Sequence, residues 1–204
     1  MYDTHALEIS EHGLKTPDNL VDVIRFTLCT IQQPLISCKN QIADIEKNGI
    51  KSIYLFGAKR KGLKYAMDNK VQLFWDLQEL KRDSLTDIDV VCKAVRILME
   101  VPCLGPVKAS FVCQMLGFNV ACIDSHNLNR LGMELKDVTI PKSLTEKTKM
   151  KKIKNYVHLT QKQGTVYWWN SWCDYVAERG GMNKALPTGE IVSEFHVQCV
   201  IRNA

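Results

Sequence analysis

Between residues 86 and 115 the chain holds two apolar helical stretches separated only by VPCLGP, residues 101–106. This short break limits the fold more tightly than any other stretch. TDIDVVCKAVRILME predicts a helix over 86–100 with Thr86 or Asp87 as its cap. Pro102 forbids simple continuation, because its ring blocks the preceding turn and it has no N–H to donate. Cys103-Leu104-Gly105 makes a tight turn, and Pro106 suits the first turn of the next helix. The result is helix, hairpin, helix. An ordinary connection with no ligand would read the same way.

The remaining chain is mostly helical by its periodicity. DNLVDVIRFTLCTI, residues 18–31, puts Leu20, Val23, Ile24, Thr27, Leu28 and Ile31 on one face, with Asp18 or Asn19 as the cap after Pro17. A second helix is expected from about 36 to 47, stopped by Asn48-Gly49, and a turn at Gly57. Residues 69–81 form another helix, and SHNLNRLGMEL a short one. A lysine-rich polar stretch then leads to TVYWWNSWCDYVAERGG, an aromatic helix ended by the paired glycines Gly180 and Gly181. In EFHVQCVI, alternation of Phe195, Val197, Cys199 and Ile201 predicts a short C-terminal strand.

Composition narrows the class. With 204 residues the chain suits one domain, or two small lobes around a cleft. The 27 Lys and Arg against 22 Asp and Glu give a formal charge of +5, which permits a nucleic-acid partner without demanding one. No apolar run approaches the ~20 residues that span a bilayer. The first ten residues lack the pattern of a signal peptide, so a soluble intracellular protein without a membrane partner is expected. None of the eight cysteines forms a CxxC pair, and most lie in apolar runs. They are expected as small buried hydrophobes in a reducing compartment, with no metal site and no cofactor.

LxxVPCLGPVKAS, followed by ACIDSHNLNRLG, resembles the helix-hairpin-helix DNA glycosylase superfamily, in particular its endonuclease III-like branch. TIQQPLISCKNQI is similar to that family's early helix and glutamine-bearing loop, and IKSIYLFGAKRKGL to the segment after it. The helix around Trp169 and Trp172 resembles its late tryptophan-bearing helix. The likeness runs over roughly residues 20–180 and is strongest in the hairpin plus the aspartate. In this chain Cys103 replaces the first hairpin glycine, the iron–sulfur cysteines are absent, and the stretch from Lys59 to the hairpin is longer. The resemblance implies an all-α, two-lobed fold. Residues 20–134 would be the helical lobe carrying the hairpin, and residues 1–19 plus 135–204 a second lobe formed by both termini.

That resemblance also distributes roles. Asp124 would be the catalytic carboxylate, stabilising the oxocarbenium-like sugar or activating its attacker. From the residues alone, Asp124 also fits as the cap of the helix beginning at Ser125. The two roles are compatible. Members that also nick the strand use a lysine to form a Schiff base, two residues after the second hairpin glycine. Here that position is Val107, and Lys108 is one later. Lys108 falls on the apolar side of its helix near the positive end of the dipole, which favours a neutral nucleophilic amine, although it could equally bind a phosphate. Cys103, Leu104, Gly105 and Val107 would grip the DNA backbone through free N–H groups at the helix start. Gln32 or Gln33 would fill the gap left by an extruded base, and His126 would touch a phosphate.

Tyr167, Trp168, Trp169, Trp172 and Tyr175 could supply a stacking face or simply core. Two basic clusters could track DNA: Lys59, Arg60, Lys61 and Lys64, then Lys147, Lys149, Lys151, Lys152 and Lys154. The expected function is a monomeric DNA base-excision glycosylase, with or without lyase activity, acting on double-stranded DNA that holds a damaged or modified base. Two rivals remain. One is a phage-type transferase that hypermodifies DNA bases on the same fold, and the other a non-catalytic DNA-binding hairpin module.

Overall fold

A computed structural model describes residues 3–122, 124–141, 143–179 and 185–201. These form twelve α-helices and no strand among the described residues. In chain order they are α1 (Asp3–Gly13), α2 (Pro17–Cys29), α3 (Cys38–Asn48), α4 (Ala58–Asp68), α5 (Lys70–Asp83) and α6 (Ile88–Leu98). Then follow α7 (Pro106–Met115), α8 (Ser125–Arg130), α9 (Leu135–Val138), α10 (Glu146–Gln161), α11 (Thr165–Arg179) and α12 (Gly189–Val200).

The breaks fall where the chain's punctuation puts them. Asp87 caps α6 by accepting from the Asp89 and Val90 N–H groups at 2.9 and 3.0 Å. Gly49 and Gly57 carry left-handed φ of 56° and 52° before the next helix begins. The start of α2 differs from expectation. Thr16, not Asp18 or Asn19, is the cap, and its Oγ1 accepts from the Asn19 N–H at 3.2 Å. Pro17 fits the first helical position, so the cap moves upstream to Thr16. The expected helix stop at Gly180 and Gly181 lies outside the described residues.

The C-terminal strand is overturned. Residues 189–200 are α12, capped by Thr188 Oγ1, which accepts from the Ile191 N–H at 3.2 Å. The helix is buried nearly all round, at Val192, Ser193, Phe195, His196, Val197, Cys199 and Val200. Only the stripe of Glu190, Ile191, Glu194 and Gln198 stays outside the core, so most positions are apolar and a short window of them can alternate by chance.

Packing follows from burial. From Ala109 to Met115 every residue of α7 is buried, with α6, α2 and α1 around it. Phe26 and Phe118 have no exposed surface, a burial that stabilises by about 1.5–3 kcal/mol each. α12 lies against α11 and α1, whereas α10 packs chiefly on α6. The hairpin is braced from α4. A Cβ added at Gly62 would sit 2.3 Å from the Pro102 carbonyl oxygen, so only glycine allows this approach. All eight cysteines are free, and all but the half-buried Cys103 are buried.

Candidate active site

The residues from 99 to 105 form the hairpin between α6 and α7. Cys103 holds a left-handed φ of 77°. The chain keeps a glycine-like conformation here with a cysteine, at a cost of roughly 1–2 kcal/mol. Gly105 is the N-cap of α7, Pro106 follows it, and no side chain caps the helix. The Val107 and Lys108 N–H groups therefore start the helix without a side-chain acceptor. Leu104 is placed differently from the expected backbone grip. Its side chain is 3 % exposed and sits in the core, and its N–H is spent on the Val101 carbonyl at 3.0 Å. Gly105 is exposed, and Val107 is half-buried.

From α7 the chain turns back and reaches Asp124, the N-cap of α8. Its Oδ1 accepts from the Asn127 N–H at 3.0 Å, and its Oδ2 from the Trp172 indole N–H at 2.6 Å. The cap reading of Asp124 is thus correct, and α11 supplies a second anchor. The backbone leading to it is held by side chains of three helices. Gln114 Oε1 accepts from the Cys122 N–H at 3.0 Å. Asn127 Nδ2 donates to the Cys122 carbonyl at 2.8 Å, and the Tyr156 hydroxyl to the Ala121 carbonyl at 2.6 Å. Each of these buried bonds contributes on the order of 1 kcal/mol and removes a degree of freedom from the carboxylate's mount.

Asp124 opens onto a cavity of about 450 Å³. Phe111, Trp168, Trp169 and Trp172 form its apolar walls. Lys108 lines it too, with Nζ donating to Thr30 Oγ1 at 3.1 Å and lying 5.3 Å from the Phe111 ring centre. Gln32 and Gln33, exposed in the loop after α2, contribute to the rim. Gln32 has a left-handed φ of 54°. Among the described residues, Gln32 and Cys103 are the only non-glycine positions with positive φ. Such strain persists only where surrounding structure imposes it, and it concentrates at functional loops.

Behind the walls sits His196, fully buried. Its ring meets those of Phe26, Phe111, Trp169 and Trp172 edge-on, with centres 5.0–6.3 Å apart. Nδ1 lies 2.7 Å from the Val192 carbonyl, so the proton is on Nδ1 and the ring is neutral. Burial pushes its pKa down to about 4.

Other expected residues are elsewhere. His126 faces away from this cavity and stacks on Tyr175, ring centres 3.6 Å apart, in a second depression shared with Arg130 and Tyr167. Burial pushes its pKa down. The expected aromatic face is therefore divided by α11. Trp168, Trp169 and Trp172 line the main cavity, and Tyr167 and Tyr175 line the second depression. The basic clusters are partly spent. Lys59 is only 5 % exposed, its Nζ lies 5.4 Å from the Phe56 ring centre with no hydrogen-bond partner among the described residues, and burial lowers its pKa. Lys64 pairs with Asp68, Lys149 with Glu146 and Lys154 with Asp89, while Lys152 donates to backbone carbonyls.

Thr30, Phe111, Gln114 and Asn127 are the site residues that sequence reasoning missed. Gln114, a polar side chain inside an otherwise apolar helix, carried a signal. Asn127 lies at the third position after Asp124, where a side chain returns to the cap. No helix of the described residues is long and apolar enough to cross a membrane. Comparison of the chain with family models, curated proteins and solved structures found no match.

Proposed function

We propose that the protein is a DNA base-excision glycosylase of two-lobed helix-hairpin-helix type, which flips a damaged or modified base and breaks its N-glycosidic bond. One observation carries this reading. Gln32 and Gln33, Lys108 and Asp124 come from separate parts of the chain, yet all line the same aromatic-walled cavity. Phosphates would dock at the uncapped start of α7, where N–H groups and the dipole favour an anion. An extruded base would enter between Phe111 and the tryptophans, with a rim glutamine filling the vacated stack. As the bond breaks, positive charge grows on the sugar. Asp124, fixed by two hydrogen bonds, would face that charge without reorganising and could accept a proton from the attacking water.

The test is incubation with duplexes carrying single lesions, followed by mass spectrometry of bases and nucleosides. Free base is the expected product. An altered nucleoside would instead mean group transfer, and DNA binding without any product would mean a non-catalytic module. Asp124→Asn keeps a capping oxygen but not the charge. It should lower base release by roughly 10²–10⁴-fold while sparing binding.

A further inference from the structure

The polar atoms inside the cavity are nearly all committed. The Trp168 and Trp169 indoles donate to the Thr160 carbonyl and Ser193 Oγ, each at 2.8 Å, and Trp172 donates to Asp124. The Gln114 amide is spent at both ends, since Nε2 donates to the Thr165 carbonyl at 3.3 Å. Asn127 Nδ2 is held by the Cys122 carbonyl, which fixes the amide and leaves Oδ1 enclosed without a partner. The Thr30 hydroxyl donates to the Thr27 carbonyl at 2.7 Å. Lys108 is the exception. Its one hydrogen-bond partner is the neutral Thr30, and no carboxylate among the described residues lies within ion-pair distance. Among the described residues that line the cavity, Lys108 is the only cationic side chain, and it keeps two N–H groups beyond the one given to Thr30.

Resting on the glycosylase reading, we infer that Lys108 stabilises the departing base rather than attacking the sugar, and that the site takes neutral bases bearing a ring carbonyl. The C1′–N bond breaks heterolytically, and its electron pair goes to the base. The resulting negative charge spreads onto the carbonyl oxygen, where the ammonium donates to it. Water supplies the oxygen that bonds to C1′, and its proton passes to Asp124. That proton returns through solvent to the base, so one water is consumed for each base and sugar hydroxyl formed. A fixed cation in an apolar enclosure disfavours a second cation. Alkylated purines that carry a positive charge before cleavage are therefore poor substrates. The Phe111 ring and the Thr30 hydroxyl hold the position of that head group at the cavity wall.

The test uses the full chain in single turnover on duplexes holding uracil, 5-fluorouracil, thymine opposite guanine, 8-oxoguanine or 7-methylguanine. Release confined to the neutral carbonyl bases, with no covalent adduct under borohydride, is the expected result. Lys108→Met should slow thymine about 10²-fold but 5-fluorouracil, a more acidic leaving group, only about 10-fold. Lys108→Arg, which keeps the charge and cannot form a Schiff base, should retain much of the rate. A borohydride adduct, an equal loss across the series, or ready release of 7-methylguanine overturns the inference while leaving the glycosylase reading intact. Binding without release of any base overturns both.

Discussion

α7 and α8 begin in the same way and use their beginnings differently. Each opens with an extended N-cap residue after an irregular turn. At α8 the cap is Asp124, whose own carboxylate fills the N-terminus and is tied to Trp172 across the cavity. At α7 the cap is Gly105, which contributes no acceptor and leaves the N–H groups open. One helix start is closed by a fixed negative charge, and the other has no side-chain acceptor. The pair teaches that an N-terminus can be stabilised from within the chain or left open. Capping α7 would gain stability and, on the proposed reading, forfeit the phosphate's docking point, whereas uncapping α8 would lose the carboxylate's orientation.

The largest expected change concerns His196, behind the aromatic walls that Phe111 of α7 and Trp172, the partner of Asp124, help to form. His196 stays neutral in the folded chain to about pH 4, while in the unfolded chain it protonates near 6.5. Between those values the unfolded state binds the extra proton, so stability is intact above about pH 6.5 and falls as pH drops towards 4. The loss is on the order of 3 kcal/mol. His196→Leu should flatten that part of the curve in denaturant titrations at a series of pH values, and an unchanged slope would remove His196 as its source. Asn127→Ala strikes the closed start. It leaves the Cys122 carbonyl buried without a donor and should cost about 1–3 kcal/mol in chemical denaturation.

Gly105→Asp converts the open start into a closed one. A Cβ at this position meets nothing within 4 Å, so the fold should accept it. Thermal stability should rise by up to ~1 kcal/mol, while DNA affinity falls and depends less steeply on salt. Tighter binding with the variant would show that α7 does not receive a phosphate. The smallest effect belongs to Cys103→Gly, which should stabilise by about 1 kcal/mol by relieving the left-handed φ.

Much of this architecture could be read in the chain because helix ends are local. Asp87, Gly49 and Gly57 act within a few residues of where they stand. The two helix starts were visible for the same reason, whereas Gln32 and Gln33 came from the resemblance alone. The partners of Asp124 were not. Trp172 lies 48 residues away, and its indole could have pointed to either side of α11. His126 shows the converse. It is two residues from Asp124, but rotation along α8 sends it to the opposite face. α12 misled because burial over most of its surface leaves only a narrow polar stripe, at Glu190, Glu194 and Gln198, from which its period is recognised. Leu104 misled because neighbouring residues of a tight turn point in opposing directions, one to solvent and one to the core.

Gly62 carries a consequence for how the molecule can vary. The Pro102 carbonyl occupies the space where any other residue would place its first carbon. Position 62 thus acts as a shim under the hairpin. A single methyl there would press on the Pro102 carbonyl and the Leu28 side chain and lift the turn outward. Divergence in the shape of the hairpin can therefore begin on α4, in a residue whose only contribution is the absence of a side chain.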